Sequence, residues 1–174
     1  DTGVAMNALI AFLDKSPSRT ALLTGLGMAA VVGTALLFEH VGGYLPCKLC
    51  LEQRTPYYIG APLMIAAGLF HGRVPTGVTR GMALIGGLLM LYGAALATYH
   101  AGIEWAIWSG PADCTGTGAN VTTNAGDLLG DLNAKTPPMC DKAALRILGL
   151  SMAGWNVPAS LALMVTSLFA AKRD

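Results

Sequence analysis

The stretch TALLTGLGMAAVVGTALLF, residues 20–38, decides the fold class of this chain. It contains no charged residue and lies between Arg19 and Glu39. Because about 20 apolar residues in a helix cross the hydrocarbon core of a bilayer, the run predicts a transmembrane helix. The composition agrees, since 53% of the residues are hydrophobic and only 12% are charged, against about 25% charged residues in a soluble domain.

Three more uncharged apolar runs predict further spans, so we expect an all-α integral membrane protein built as a four-transmembrane-helix bundle. The spans are expected at 20–38, 55–72, 81–103 and 147–171 of a single membrane domain, 1–174. Pro56 suits a helix start, while Pro62 should loosen or kink the second span. The 22 glycines are compatible with close helix packing in lipid.

Basic residues favour one orientation of this bundle. Four spans put both termini on one side, and loops that face the cytoplasm are enriched in Lys and Arg. On the side of the termini lie Lys15, Arg19, Arg73, Arg80, Lys172 and Arg173. On the other side, in longer and more acidic loops, lie Lys48, Arg54, Lys135, Lys142 and Arg146. We therefore expect cytoplasmic termini and two extracytoplasmic loops, 39–54 and 104–146.

Two segments outside the spans have weaker patterns. The apolar run Val4–Leu13 is too short to cross a membrane, and we interpret it as an interfacial helix at the cytoplasmic face. In the second outer loop, Val121, Leu128, Leu129 and Leu132 are at roughly helical spacing. That spacing is compatible with a short helix on the membrane surface or with a disordered tether.

All four cysteines of the chain fall in the two outer loops. They are Cys47, Cys50, Cys114 and Cys140. Four cysteines allow three different disulfide pairings, and disulfides persist in oxidising compartments outside the cytoplasm. The predicted orientation therefore permits disulfide chemistry at every one of these positions.

Cys47-Lys48-Leu49-Cys50 is a C-x-x-C motif directly before the second span. A thiol near a helix N-terminus has its thiolate favoured by the helix dipole and by free N–H groups, and disulfide exchange needs the thiolate. The same spacing also serves zinc sites, but no second C-x-x-C and no histidine pair completes a tetrahedral ligand set. We therefore expect a redox pair and no metal.

Arg54 follows Cys50 by one helical turn, so both side chains are expected on one face of the second helix. There the guanidinium could polarise an anion beside the C-x-x-C motif. The alternative is an arginine that only extends its charged end to the membrane interface, with its stem along apolar surface.

Cys114 and Cys140 lie far apart in the second outer loop. A disulfide between them would remove about 3–4 kcal/mol of chain entropy from the open state, so a purely structural bridge is one interpretation. A relay is the other. Electrons would pass from an external dithiol to the loop pair, then to the C-x-x-C pair, and finally to a lipid-soluble acceptor such as a quinone.

Four separated motifs resemble the DsbB family of membrane thiol:quinone oxidoreductases. Pro46–Tyr58 is similar to the family's P-C-x-L-C-x-x-Q-R-x-P-Y-Y signature, and Tyr99–Trp105 to its Y-H-x-G-x-E-W stretch. Pro138–Asp141 and Gly149–Asn156 resemble the segment that leads into the last span. The resemblance runs from 36 to 155, with the motifs in the same order.

The resemblance implies a role for each cysteine. A reduced DsbA-like thiol oxidase would attack Cys114 and form a mixed disulfide with it. Cys140 would then attack Cys47 of the C-x-x-C disulfide. Cys50 would leave as the thiolate that faces the quinone.

The resemblance also implies a quinone site, with ubiquinone or menaquinone as the acceptor. Arg54 would hold a quinone carbonyl, His100 would lie near the same ring, and Met152 would line the pocket. The alternative for His100 is an interfacial polar cap, and the alternative for Met152 is simple helix packing.

Together these implications describe a protein dithiol:quinone oxidoreductase of the bacterial inner membrane. It would oxidise a DsbA-like partner, sustain disulfide bond formation and act as a monomer. The net charge of +1 gives no basic field that would attract a nucleic acid. Two alternatives remain at this point: a vitamin K epoxide reductase-like thiol-redox membrane enzyme, and a structural four-span protein with inert disulfides.

Overall fold

The computed structural model describes residues 16–111 and 139–173, and in these ranges helices dominate. The helices are α1 Pro17–His40, α2 Lys48–Phe70, α3 Thr76–Glu104 and α4 Met152–Arg173. A short antiparallel hairpin, β1 Arg146–Ile147 and β2 Leu150–Ser151, precedes α4. The all-helical class is confirmed. Three features named above lie outside the described residues: the interfacial helix expected at Val4–Leu13, the segment around Val121–Leu132, for which a surface helix and a disordered tether were both open, and Cys114.

Three of the helices have the length and composition to cross a membrane. They are Pro17–His40, Thr76–Glu104 and Met152–Lys172. Large apolar side chains cover the outside of the bundle, and Leu26 and Leu88, for example, are 56% and 64% exposed. An apolar surface of this extent is costly in water but matches lipid. The chain is therefore an all-helical membrane protein, in which α2 is not one of those three helices.

The four helices close into a ring in which each packs against two others. Helix α2 packs between α1 and α3, and α4 packs between α3 and α1. This arrangement brings residues from the first turns of α2 and α4 together with the last turns of α1 and α3. The ends of α2, α3 and α4 carry the motifs quoted above, and the end of α1 adds Glu39.

Helix α2 begins before the uncharged run that predicted the second span. That span was expected from 55, whereas the helix begins at Lys48, so that Cys50 and Arg54 share its first two turns, as their spacing predicted. The reason is local, because Cys47 has extended backbone and its Sγ accepts a hydrogen bond from the Cys50 amide at 3.2 Å. A sulfur thus takes the place of the usual oxygen at the N-cap of the helix.

Helix α4 begins later than expected, at Met152 rather than at 147. The apolar residues before it form the hairpin, in which Arg146 pairs with Ser151 and Ile147 with Leu150. Leu148 and Gly149 make the turn with positive φ values of 53° and 86°. Positive φ at both central residues defines the tight turn that suits the twist of a two-residue hairpin.

Close contacts between methionines and glycines fill the bundle away from the C-x-x-C motif. Met28, Met64 and Met90 have no exposed surface. A Cβ added at Gly86 would lie 2.7 Å from the Met64 Sδ, and one at Gly60 would lie 3.0 Å from the Met28 Sδ. Flexible thioethers therefore occupy notches that only glycine leaves open.

Candidate active site

The C-x-x-C motif forms the first turn of α2 and brings its two sulfurs together. The Sγ atoms of Cys47 and Cys50 are 2.8 Å apart, and both cysteines are free thiols. Cys47 is buried, with 5% of its surface exposed, whereas Cys50 is partly exposed. The geometry allows the pair to close to a disulfide, because only a small movement separates it from a bonded distance of about 2.05 Å.

The two thiols of this pair differ in their tendency to ionise. The hydrogen bond to Cys50, together with burial, raises the pKa of the Cys47 thiol far above its usual range. Cys47 therefore keeps its proton and donates it in a hydrogen bond to the Cys50 sulfur. The positive end of the helix dipole then favours negative charge on Cys50, which makes Cys50 the more reactive sulfur.

Cys140 lies against the C-x-x-C pair although it belongs to the segment between α3 and α4. It is disulfide-bonded and 1% exposed. It shares a small buried cluster with Cys47, Leu49 and Ile103, and Cys50 packs against that cluster. The cysteines at the start of α2 and before α4 thus meet, as a relay would require, while Cys114 lies outside the described residues.

His100, near the end of α3, connects the cysteines of the two loops. It is 2% exposed, and its Nε2 lies 3.6 Å from the Cys47 Sγ. The imidazole also forms a hydrogen bond with the backbone of Cys140. Its Nε2 is 3.9 Å from a carboxylate oxygen of Glu104. His100 is therefore an immediate neighbour of the sulfurs and not merely a polar residue at the interface.

A chain of buried hydrogen bonds extends from His100 towards the middle of the bundle. The Gln53 Nε2 lies 2.7 Å from the His100 Nδ1, and the Asn156 Nδ2 donates to the Gln53 Oε1 at 2.8 Å. Tyr57 donates to the Asn156 Oδ1 at 2.5 Å, and its hydroxyl lies 2.8 Å from that of Ser160. Five side chains from three helices are thus ordered as one unit.

The roles of Gln53, Tyr57 and Asn156 in this chain of hydrogen bonds did not follow from the sequence. Gln53 and Asn156 fell inside recognised motifs but were given no function. The available signal was their polarity within apolar helices, because polar residues at membrane depth face the bundle interior and often mark functional sites. The chemistry of such residues can be suspected from sequence, whereas their mutual contacts across three helices cannot.

Arg54 lies one turn after Cys50 and forms an ion pair with Glu39 at the end of α1. The two side chains are 12% and 22% exposed. The sequence analysis named Arg54 but assigned no role to Glu39. Because Glu39 neutralises the guanidinium, the positive charge beside Cys50 is weaker than Arg54 alone would provide.

A cavity of about 350 Å³ lies beside the sulfurs and brings the predicted quinone-site residues together. Its lining includes Cys50, Arg54, His100 and Met152. Most of the remaining wall is apolar, with Val31, Val32, Ala35, Phe38, Leu45, Ile147 and Ala159 among the lining residues. The cavity therefore presents the thiol, guanidinium and imidazole of these residues in largely apolar surroundings, with Glu39, Gln53 and Asn156 as further polar groups in its lining.

The hairpin and the start of α4 are tied to the end of α3, which fixes one wall of the cavity. Ser151 accepts the Gly154 amide at 3.0 Å and donates to the carboxylate of Glu104. The Trp155 indole donates to the Ile147 carbonyl at 2.9 Å. These contacts hold Met152, which follows Ser151 directly, at the cavity.

Comparison with known proteins places the chain among disulfide-forming proteins. The family model described as "Disulfide bond formation protein DsbB" matches residues 17–170. A protein named "Disulfide bond formation protein B" from Methylococcus capsulatus is 32% identical over 157 residues, covering 87% of this chain and 92% of the relative. A protein of the same name from Hahella chejuensis is 30% identical and covers 83% and 87%. No solved structure gives a significant match.

Proposed function

We propose, since this chain belongs to the DsbB family of disulfide bond formation proteins, that it is a protein dithiol:quinone oxidoreductase. Family membership and the apolar helices identify a disulfide-forming oxidoreductase of the membrane. The proposal adds the two ends of the electron path. A DsbA-like thiol oxidase outside the cytoplasm donates the electrons, and ubiquinone or menaquinone in the bilayer accepts them.

The proposed topology has four spans, with both termini in the cytoplasm and both cysteine loops in the periplasm. Helix α2 would be the fourth span. It has 23 residues, enough to cross the hydrocarbon core, and it packs between α1 and α3. Some of its polar and proline residues face neighbouring helices, since Gln53, Pro56 and Tyr57 are buried.

The proposed relay begins at Cys114, which the partner's thiolate attacks. One disulfide is exchanged for another at each step, so two electrons move without any outside oxidant until the last step. The contact of Cys140 with Cys47 in one buried cluster supports the next transfer, in which Cys140 attacks Cys47. Cys50 then leaves as the thiolate, which the N-terminus of α2 stabilises.

The cavity beside Cys50 is the observation that carries the quinone assignment. Its volume of about 350 Å³ falls within the usual range for small-molecule sites. An apolar wall with few polar groups fits a flat ring that carries an apolar tail. When bound, a quinone would supply the acceptor for two electrons and two protons.

The residues around the cavity have separate tasks in this proposal. Cys50 presents its sulfur at the cavity wall, and Arg54 offers guanidinium N–H groups to a carbonyl oxygen. His100, held by Gln53, keeps the Cys47 sulfur and the Cys140 backbone in position. Met152 gives apolar contact at the start of α4.

The direct test is reduction of a short-chain ubiquinone by a reduced DsbA-type protein, with the full chain in detergent. We expect turnover by the parent protein and none by Cys114→Ser, which still holds the C-x-x-C pair. Thiol trapping during turnover should find all four cysteines cycling. A chain whose cysteines stay fully oxidised in the presence of reduced partner would contradict the proposal and favour inert disulfides.

A further inference from the structure

We propose that the reduced enzyme binds one soft divalent cation of the zinc type through Cys47, Cys50 and His100, and that binding stops turnover. This inference deepens the proposed function and rests on it, because it requires that the C-x-x-C pair is reduced during each cycle. The cation would be an inhibitor that captures an open redox site. It would not be a resident cofactor.

The positions of the three ligand atoms carry the proposal. The two Sγ atoms and an imidazole nitrogen all lie within 4.8 Å of one another. The separation of the Cys47 Sγ and the His100 Nε2 is 3.6 Å. Tetrahedral zinc with bonds of about 2.3 Å to sulfur and about 2.0 Å to nitrogen requires about 3.6 Å between these two atoms.

To complete such a site the two sulfurs must move apart, and the imidazole must release its hydrogen bond to the Cys140 backbone. The Sγ atoms are 2.8 Å apart, whereas two thiolates on one zinc ion are separated by about 3.8 Å at tetrahedral angles. Cys50 is partly exposed and lines the cavity, so its side chain has space to rotate. The fourth position of the metal would face the same cavity and could hold water.

The charges around the site favour a divalent cation. Uptake of the ion displaces the two thiol protons to solvent, which leaves a neutral assembly of one dication and two thiolates. A neutral assembly avoids the large cost of an uncompensated buried charge. The carboxylate of Glu104, 3.9 Å from the His100 Nε2, adds a negative charge beside the nitrogen that would bind the ion.

The hydrogen-bond chain behind His100 can support metal binding. A ligating histidine usually donates its other ring N–H to an acceptor, and Gln53 lies at the His100 Nδ1. A half-turn of the Gln53 amide would present its oxygen there. Asn156 would turn in the same way, and the hydroxyls of Tyr57 and Ser160 can accept as well as donate. Donors and acceptors can therefore exchange along the whole chain of hydrogen bonds.

The sequence showed no such site because its third ligand comes from another helix. The motif offered two thiols, and the search for further ligands covered a second C-x-x-C and paired histidines. His100 is 47 residues beyond Gln53, its partner on α2. The ring of helices brings it to the motif, and no spacing rule within one segment could indicate that contact.

Cadmium titration of the reduced full chain in detergent tests the site. The protein should carry Cys114→Ser and Cys140→Ser, so that Cys47 and Cys50 are the only thiols. We expect one equivalent of Cd²⁺ to produce thiolate–cadmium absorbance, to be displaced by Zn²⁺, and to raise the melting temperature, as ligand binding to the folded state requires. Oxidation of the pair should abolish all three signals.

Matched histidine variants decide whether His100 is a ligand. His100→Ala, and His100→Asn as a second variant that keeps a polar side chain, should weaken cadmium binding by more than tenfold. His71→Ala, at the opposite end of α2, should leave the affinity unchanged. Equal affinities for the His100 variants and the parent would overturn the three-ligand site and leave only a dithiol chelate.

Failure of this inference can be told apart from failure of the proposed function. Quinone turnover that is insensitive to Zn²⁺ in the parent, with no cadmium binding, would reject the metal site and leave the oxidoreductase intact. Cadmium binding in a protein that never reduces a quinone would support the metal site and reject the proposed oxidoreductase function. Inhibition should be expressed relative to each variant's own uninhibited rate, because His100 also belongs to the proposed machinery.

Discussion

The two halves of the helix bundle are built on different physical principles. The half that holds the cysteines is ordered by directional contacts, such as the chain from His100 through Gln53 to Asn156. The other half is ordered mainly by close contact without direction, as where Met64 meets Gly86, and the hydrogen bond from the Ser18 hydroxyl to the Gly68 carbonyl is an exception. Hydrogen bonds fix orientation, whereas apolar packing fixes distance and density.

We therefore expect the cysteine half to set the chemistry and the glycine–methionine half to set the stability. A substitution near the cysteines should alter reaction rates or affinities more than the free energy of unfolding. A substitution in the glycine–methionine half should do the opposite. Four predictions, in order of decreasing effect, test whether the two halves separate in this way.

The largest effect is expected for Cys50→Ser. Serine keeps the shape of the side chain but removes the sulfur that the proposal places before the quinone. Quinone reduction by a reduced DsbA-type protein should fall on the order of 10³-fold or more, as for other nucleophile removals. The melting temperature in detergent should stay close to that of the parent. A variant that keeps a substantial share of its activity would exclude Cys50 from the electron path.

The next effect is expected in the other half, for Gly68→Ala. The added Cβ would lie 2.5 Å from the Leu22 Cγ and 2.8 Å from the Ser18 carbonyl oxygen, so α1 and α2 must separate. We expect a loss of about 1–3 kcal/mol in the free energy of unfolding, typical of overpacking. Quinone reduction per folded molecule should be unchanged.

Gly81→Ala is the matched control for Gly68→Ala. A Cβ at Gly81 meets nothing within 4 Å, and alanine favours a helix interior by about 0.5–1 kcal/mol over glycine. Denaturation curves of both variants should therefore move in opposite directions. Equal destabilisation by both would mean that the loss in Gly68→Ala does not come from the contact between α1 and α2.

A smaller effect is expected for the ion pair beside the cavity. Arg54→Gln removes the guanidinium, and the KM for a short-chain ubiquinone should rise about tenfold, equivalent to about 1.4 kcal/mol. Glu39→Gln keeps an oxygen for Arg54 but removes the opposing charge, so the KM should fall about twofold to threefold, as for a partly exposed pair. A KM that rises in both variants would indicate that Glu39 orients Arg54 and does not compete for it.

The smallest effect is expected for Tyr57→Phe, which removes one donor from the end of the buried chain. Ser160 still lies within reach of Asn156, at 3.4 Å, so the loss should be about 0.5–1.5 kcal/mol of unfolding free energy. Tyr57 lies where the two halves join, in one buried cluster with Met28 and Met64, so the free energy of unfolding should change more than turnover does. Tyr58→Phe is the control, because Tyr58 is 50% exposed. If Tyr58→Phe lost as much unfolding free energy as Tyr57→Phe, a specific role of Tyr57 would be contradicted.

Much of the helical framework could be predicted from the sequence, because the uncharged run between Arg19 and Glu39 can adopt few structures other than a helix in a bilayer. The grouping of Cys50 with Arg54 also followed from helical spacing. The hairpin did not, because Ile147, Leu148 and Leu150 are as apolar as the span that follows. Only the positive φ of Leu148 and Gly149 separates them from α4.

The contacts that assemble the candidate site could not be predicted in the same way. Asn156 and Gln53 are 103 residues apart, and their meeting depends on how α2 and α4 are rotated about their own axes. The partner of Arg54 depends in the same manner on the rotation of α1, which brings Glu39 to the cavity. Such rotations are set by packing over the whole bundle and leave no signal at a single position.

The N-cap of α2 links sulfur chemistry to the mechanics of the helix. One atom, the Cys47 Sγ, both accepts the Cys50 amide and is the sulfur that Cys140 attacks in the proposed relay. Each time this sulfur turns towards another cysteine, the first turn of α2 loses its cap and can fray, and it winds again when the sulfur returns. The first turn of α2 would then unwind and rewind once in each catalytic cycle. Hydrogen exchange at the Cys50 amide should therefore be faster during turnover than in the resting protein.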